Sequence, residues 1–198
     1  MPYDEKFNIL EMEIQNGEYK PEHKKINAFG ALPSPSSFQE LGRDLGAFMW
    51  LTSYLPFANS TAAPLYALLH SDRWIWTDTH ENAFQSMKRL VQSPQVLQPM
   101  DLNENTKIWV TTDASLVGVG GWISQGETYE NSKSVVYHSR VMTPAQSNYP
   151  VHEQELLAVV DMLDTYYHLL AGRKFTLMMD SQPMVSLMSL KRLSPRQS

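Results

Sequence analysis

Three carboxylates in this sequence stand where they could act together. Asp113 closes a run of alternating side chains over 108–113, Asp180 closes a second such run over 174–179, and Glu155 falls in the first turns of a long helical segment between them. Carboxylates brought together repel unless they are protonated or neutralised, and a hard divalent cation with oxygen ligands is the usual remedy. Two such ions about 3.5–4 Å apart can activate a water and stabilise the leaving oxygen of a phosphodiester. Spacing alone leaves this open, because Asp after a strand is also a common turn residue and Glu in a first helical turn also complements the helix dipole. His152-Glu153 opens like a zinc-binding helix, but Leu156 stands where the second His is required. His138, His152 and His168 read as structural residues.

The elements around these residues predict how they could meet. Ile108, Val110 and Thr112 alternate with Trp109, Thr111 and Asp113, and the runs 117–124 and 134–139 read as two further strands joined by short turns. An uninterrupted helix is expected from about Pro150 to Leu170, with Leu156, Val160, Leu163, Tyr167 and Leu170 on its packed face and Gly172 ending it. A fourth strand over 174–179 and a helix over 183–193 follow. The order of three strands, helix, strand and helix requires a crossover, so the fourth strand should pair in parallel with one of the first three. If that partner is the strand ending at Asp113, both aspartates reach the same sheet edge, where ligands bind in sheets of this kind. The expected class is α/β (α+β), a mixed sheet of three antiparallel strands, a crossover helix and a parallel fourth strand.

A small helical unit precedes the sheet. Phe7, Ile9, Leu10, Met12 and Ile14 hint at one or two strands before the turn at Asn16-Gly17. Ser37 and Glu40 have capping-box spacing ahead of a helix to about Tyr54, a second helix fits 62–69, and a third is expected to start at a box made by Asp78 and Glu81. The hydrophobic period changes near residue 100, at the loop bearing Pro99, Asp101, Asn103 and Asn105, and the domain boundary is placed there. The net charge of -5 is uneven. Residues 101–170 hold 3 basic against 9 acidic side chains, and residues 171–198 hold 5 against 1. An acidic middle suits cations and a basic end suits a polyanion, although solvated faces would look the same. The absence of Cys excludes disulfides, thiolate metal sites and a cysteine nucleophile. No stretch approaches the ~18 apolar residues of a membrane span, and residues 1–6 lack a signal-peptide core, so an intracellular protein, cytoplasmic or nuclear, with no membrane partner is expected. Asn59-Ser60-Thr61 matches a glycosylation sequon and is read as coincidence for the same reason.

The wording of the sequence carries a further signal. Thr112-Asp113-Ala114-Ser115, then Gly118-Val119-Gly120 and Ser124-Gln125, resemble the opening of the RNase H domain in gypsy-type LTR retrotransposon polyproteins. Further blocks follow in the same order: the four residues from Tyr137 to Arg140, Thr143-Pro144-Ala145 with Asn148-Tyr149, the run from Val151 to Ala158, and Gly172-Arg173-Lys174-Phe175-Thr176. The first half is similar to the end of a reverse transcriptase palm, its thumb and the tether into RNase H, through Lys25-Ile26, Tyr54-Leu55-Pro56, Trp76-Thr77 and Ala83-Phe84.

The resemblance implies a thumb- and tether-like region over 1–100 and an RNase H-like domain over 101–198. It assigns Asp113, Glu155 and Asp180 as catalytic and metal-binding carboxylates for two Mg2+ (or Mn2+) ions, with an RNA–DNA hybrid as partner; Glu153 is the less favoured neighbour. Ser115, Arg173, Lys174, Lys191, Arg192 and Arg196 become candidate nucleic-acid contacts, with an ordinary turn role equally open for Ser115. No polymerase activity is expected, because the palm segment with paired aspartates is not in the sequence. Two departures stand out. Met179-Asp180-Ser181 keeps the carboxylate but not its usual neighbours, and Ser194-Pro195-Arg196-Gln197 resembles the segment before the family's last strand, helix and fourth acidic residue. The sequence is therefore expected to be weakly active or inactive as it stands. The alternative is a domesticated, non-catalytic binding or assembly module with a protein partner or a second copy of itself.

Overall fold

The computed structural model describes residues 7–9 and 11–179. Three short strands come first, β1 (Phe7–Ile9), β2 (Met12–Gln15) and β3 (Glu18–Pro21), paired antiparallel in that order. Asn16 and Gly17 join β2 to β3 with φ of 54° and 76°. Both values are left-handed, which is what a two-residue hairpin turn demands and what Asn-Gly tolerates best. The sequence hinted at one or two strands here, and the hairpin turn recruits a third.

Four helices follow. The sequence did not anticipate α1 (His23–Gly30), whose eight residues bury only Ile26 and Phe29 and have no capping side chain. Helix α2 (Phe38–Leu51) starts at the expected place. The Ser37 hydroxyl accepts from the Glu40 N–H, while the Glu40 carboxylate reaches back to the Ser36 N–H. Helix α3 (Ala58–Leu69) begins four residues earlier than expected, which leaves Pro64 inside it. Helix α4 (Asp78–Val91) is capped not by Asp78 and Glu81 but one residue earlier, by Thr77 with His80. Glu81 instead accepts from the Trp76 indole at 2.9 Å and from Ser34. Leu41, Leu45, Phe48, Leu65, Phe84 and Met87 fill one core between these helices.

The second sheet has the order β6-β5-β4-β7, formed by β4 (Ile108–Ala114), β5 (Gly118–Gln125), β6 (Lys133–Val141) and β7 (Thr176–Met178). The first three strands make the expected antiparallel meander, and β7 pairs parallel to β4 through Trp109↔Thr176 and Thr111↔Met178. The crossover is α5 (Val151–Thr165), but it is not continuous to Leu170. It breaks at Tyr166 and resumes as α6 (Tyr167–Leu170), and Gly172 follows with φ of 74°. The packed face agrees with the expected one only at Leu163 and Leu170. Gln154, Glu155, Ala158, Val159 and Met162 are buried, whereas Leu156, Val160 and Tyr167 are exposed. Small Ala158 lies against Val119 on the sheet, while Leu156 and Val160 face outward.

The helical unit and the sheet are joined along one seam on the face away from α5. The Asn59 N–H donates to Ser139 Oγ at 2.9 Å and its side-chain amide donates to the Ser139 carbonyl. Tyr66 donates to Asn59 Oδ1, Tyr19 donates to the Val135 carbonyl at 3.3 Å, and Tyr137 packs against the helical core. Replacing Asn59 by Ala removes its side-chain bonds with the Ser139 carbonyl and Tyr66, while keeping the backbone bond to Ser139 Oγ, and should cost about 1–3 kcal/mol of stability. Urea unfolding checks this, and a change within about 0.5 kcal/mol would show that the seam does not depend on Asn59.

Candidate active site

Side chains alternate across a strand, so β4 sends Ile108, Val110, Thr112 and Ala114 to one face and Trp109, Thr111 and Asp113 to the other. The first set meets α5. Ala114 and Val119 pack with Ala158, while Ile108, Val110 and Ile123 pack with Met162. Helix α5 therefore runs antiparallel to β4, and its first turns lie over the C-terminal end of that strand. Glu155 sits one turn before Val159 on the sheet-facing stripe, buried at 8% exposure. Asp113 leaves β4 on the opposite face and is exposed. The two carboxylates thus reach the same strand end from the two sides of the sheet. Asp180 lies two residues beyond Met178, outside the described residues, as do Lys191, Arg192 and Arg196. Among the described residues no three His, Asp or Glu side chains form a metal-binding group.

The chemistry of the donors fits a hard cation. Asp113 and Glu155 offer only oxygen, one carboxylate is open to solvent and the other is held inside the fold. Ser115 shapes the turn after β4, its hydroxyl donating to the Gly118 carbonyl at 3.1 Å and accepting from the Gly118 N–H at 3.2 Å. Glu153 is exposed in the first turn of α5.

Arg173 and Lys174 are not near this edge. They precede β7, and because β7 is parallel to β4 they lie at the far end of the sheet from Asp113. Arg173 Nη2 donates to the carbonyls of Asp101 at 2.7 Å and Asn103 at 3.2 Å. The Asp101 carboxylate meanwhile accepts from the Asn103 N–H and the Thr106 hydroxyl, which hold it below its usual range. Arg173 thus braces the loop that enters β4. Lys174 is exposed.

A cluster that sequence reasoning missed fixes the position of α5. His138 Nε2 donates to Asp161 Oδ2 at 2.7 Å, and Arg140 Nε donates to Asp161 Oδ1 at 2.8 Å. Arg140 Nη1 also donates to Gln146 Oε1 at 3.1 Å, in the loop that feeds α5, and the Thr143 N–H donates to the same oxygen. One carboxylate in the middle of α5 and one amide just before it are therefore tied to the same strand, which sets where Glu155 falls. The signal was present in the sequence, because His138 and Arg140 share a strand face and Asp161 is three residues from Ala158 on α5. His152 and His168 are exposed.

The mixed sheet, the crossover helix and the carboxylates at one strand end define an RNase H-like fold. Residues 76–177 match the family described as the RNase H-like domain found in reverse transcriptase, and the chain belongs to that family. It is similar to the Transposon Tf2-3 and Tf2-4 polyproteins of Schizosaccharomyces pombe, each 34% identical over 158 residues, which is 79% of this chain and 12% of theirs. The resemblance to gypsy-type polyproteins agrees with these relatives. The chain spans about an eighth of their length. Three solved structures share the fold. The foamy viral protease-reverse transcriptase in complex with dsDNA has a TM-score of 0.79 at 18% identity, covering 98% of this chain and 40% of that one. The same protein with an RNA/DNA hybrid gives 0.75 at 20% identity, over 96% and 26% of the two chains. Its dRH form with ds DNA gives 0.78 at 19% identity, over 96% and 34%.

Burial pushes the Asp161 carboxyl up, but the bonds from His138 and Arg140 outweigh it and hold the group below the ordinary aspartate range. A carboxyl depressed on folding stabilises the fold above the unfolded value of about 3.9 and loses that contribution as pH falls through its folded value. The Asp161→Asn variant should therefore be less stable than the parent at pH 7, with the difference shrinking below about pH 4. Parallel thermal melts from pH 3 to 7 measure it, and an equal gap at both ends would contradict the account.

Proposed function

We propose that this chain is the RNase H-type module of a retroelement reverse transcriptase and cuts the RNA strand of RNA–DNA hybrids. The observation that carries the reading is Asp113 at the C-terminal end of β4 with the first turns of α5, which carry Glu155, lying over that same strand end, within a member of the reverse-transcriptase RNase H-like family. The foamy viral structures, named as complexes with dsDNA and with an RNA/DNA hybrid, support nucleic acid as the partner. In this reading residues 1–100 are the thumb- and tether-like part and residues 101–198 the RNase H-like part.

Asp113, Glu155 and Asp180 would hold the divalent ions. Magnesium or manganese there supplies charge neutralisation of the scissile phosphate and activation of the attacking water. The chain's own contribution is to fix the donors. Asp113 is placed by a strand paired on both sides, and Glu155 by a helix pinned to β6 through Asp161. Glu155 is buried, and the attraction of a carboxylate for a cation is less screened there than at the surface.

A labelled RNA–DNA hybrid incubated with Mg2+ or Mn2+ tests the proposal, on this chain and on one extended beyond residue 198. Cleavage of the RNA strand is expected, weak or absent in this chain and stronger in the extended one, with Asp113→Asn and Glu155→Gln lowering the rate of the extended chain by a factor on the order of 10²–10⁴ while hybrid binding persists. Hybrid binding without cleavage in both proteins would instead identify a non-catalytic clamp.

A further inference from the structure

Phe57 precedes α3 with φ of 51°, a left-handed backbone that an aromatic residue adopts only at a cost. Its ring is not sunk into the helical core. It remains 36% exposed, whereas its neighbours Leu55 and Ala58 are fully buried. The ring lies on the face of the sheet away from α5, where a Cβ on Gly120 would meet Phe57 Cδ1 at 3.4 Å and one on Gly118 would meet Ser60 Oγ at 2.8 Å. Gly120 is the direct cross-strand partner of Asp113. Directly opposed residues project from the same face with Cβ positions about 4.5–5.5 Å apart, so the Phe57 ring lies within about 9 Å of the Asp113 Cβ.

We propose that Phe57 is a substrate-contacting residue of this site, an apolar wall supplied by the helical unit against which a sugar or base of the bound strand packs beside Asp113. The inference rests on the nucleic-acid reading above. Aromatic faces are the usual sequence-tolerant contacts for nucleotides, because every base offers a flat apolar surface. The bare backbone at Gly120 lets the ring sit low, next to the strand that carries the carboxylate. The left-handed backbone holds it at the start of α3 instead of inside the core. Asp113 then lies beside a surface that can register the strand.

Phe57→Asn and Phe57→Trp separate this from a packing role. Asn tolerates the left-handed backbone and removes the ring, whereas Trp keeps an aromatic face. Binding of a fluorescein-labelled RNA–DNA hybrid is measured by anisotropy without divalent metal, alongside melting temperature. Expected are unchanged or raised thermal stability for Phe57→Asn, hybrid affinity weakened about 5-fold or more, and affinity retained in Phe57→Trp. Equal affinity of Phe57→Asn and the parent overturns the inference while leaving the proposed function standing. A loss of affinity matched by a loss of stability also overturns it, and failure of the parent chain to bind hybrid at all removes both readings.

Discussion

The parallel pairing of β4 with β7 is the constraint from which the rest of the site follows. Two neighbouring strands can run the same way only if the chain between them travels back along the sheet. Here β6 ends at the edge where β4 also ends, so α5 has to start there and run back over the sheet toward the start of β4. That return path lays its first turns over the end of β4, and Glu155 arrives beside the strand that carries Asp113. The arrival of Glu155 over the strand end that bears Asp113 is thus a product of topology, and the hydrophobic contacts of Ala158 and Met162 set its register.

Much of this was legible in the sequence where one physical signal dominated. The change from helical to alternating periodicity near residue 100, the alternation over 108–113 and the crossover rule together led to the antiparallel meander and a parallel fourth strand, and the structure selects β4 as that strand's partner. Legibility failed where several weak signals competed. Helix α1 has two buried residues and no cap, so neither periodicity nor capping marked it. On α5 the bulky residues Leu156, Val160 and Tyr167 form a better-looking stripe than the one that packs, because close approach favours Ala158 over larger side chains. The candidate carboxylates were legible, but the strut that holds α5 was not. Asp113 and Glu155 could be named from their company in the sequence, but the Asp161 strut depends on which face of α5 meets β6.

The helical unit and the sheet share more than a tether. Asn59, which reads as a sequon, spends its side chain on the carbonyl of Ser139, and Tyr19 crosses from the first hairpin to β6. The glycines of β5 open that face of the sheet to the start of α3. A run that resembles a family signature thus has a local steric reason in this chain.

The loop 101–106 closes the opposite end of the sheet, and Arg173 is turned toward its carbonyls. An Arg173 Nη2 committed to two backbone carbonyls is not free to displace counterions from a phosphate backbone. The ionic-strength dependence of any complex with a polyanion would then report fewer charges than a count of Lys and Arg suggests. The basic end of the sequence, five positive side chains over 171–198, is in that sense partly an internal fastening.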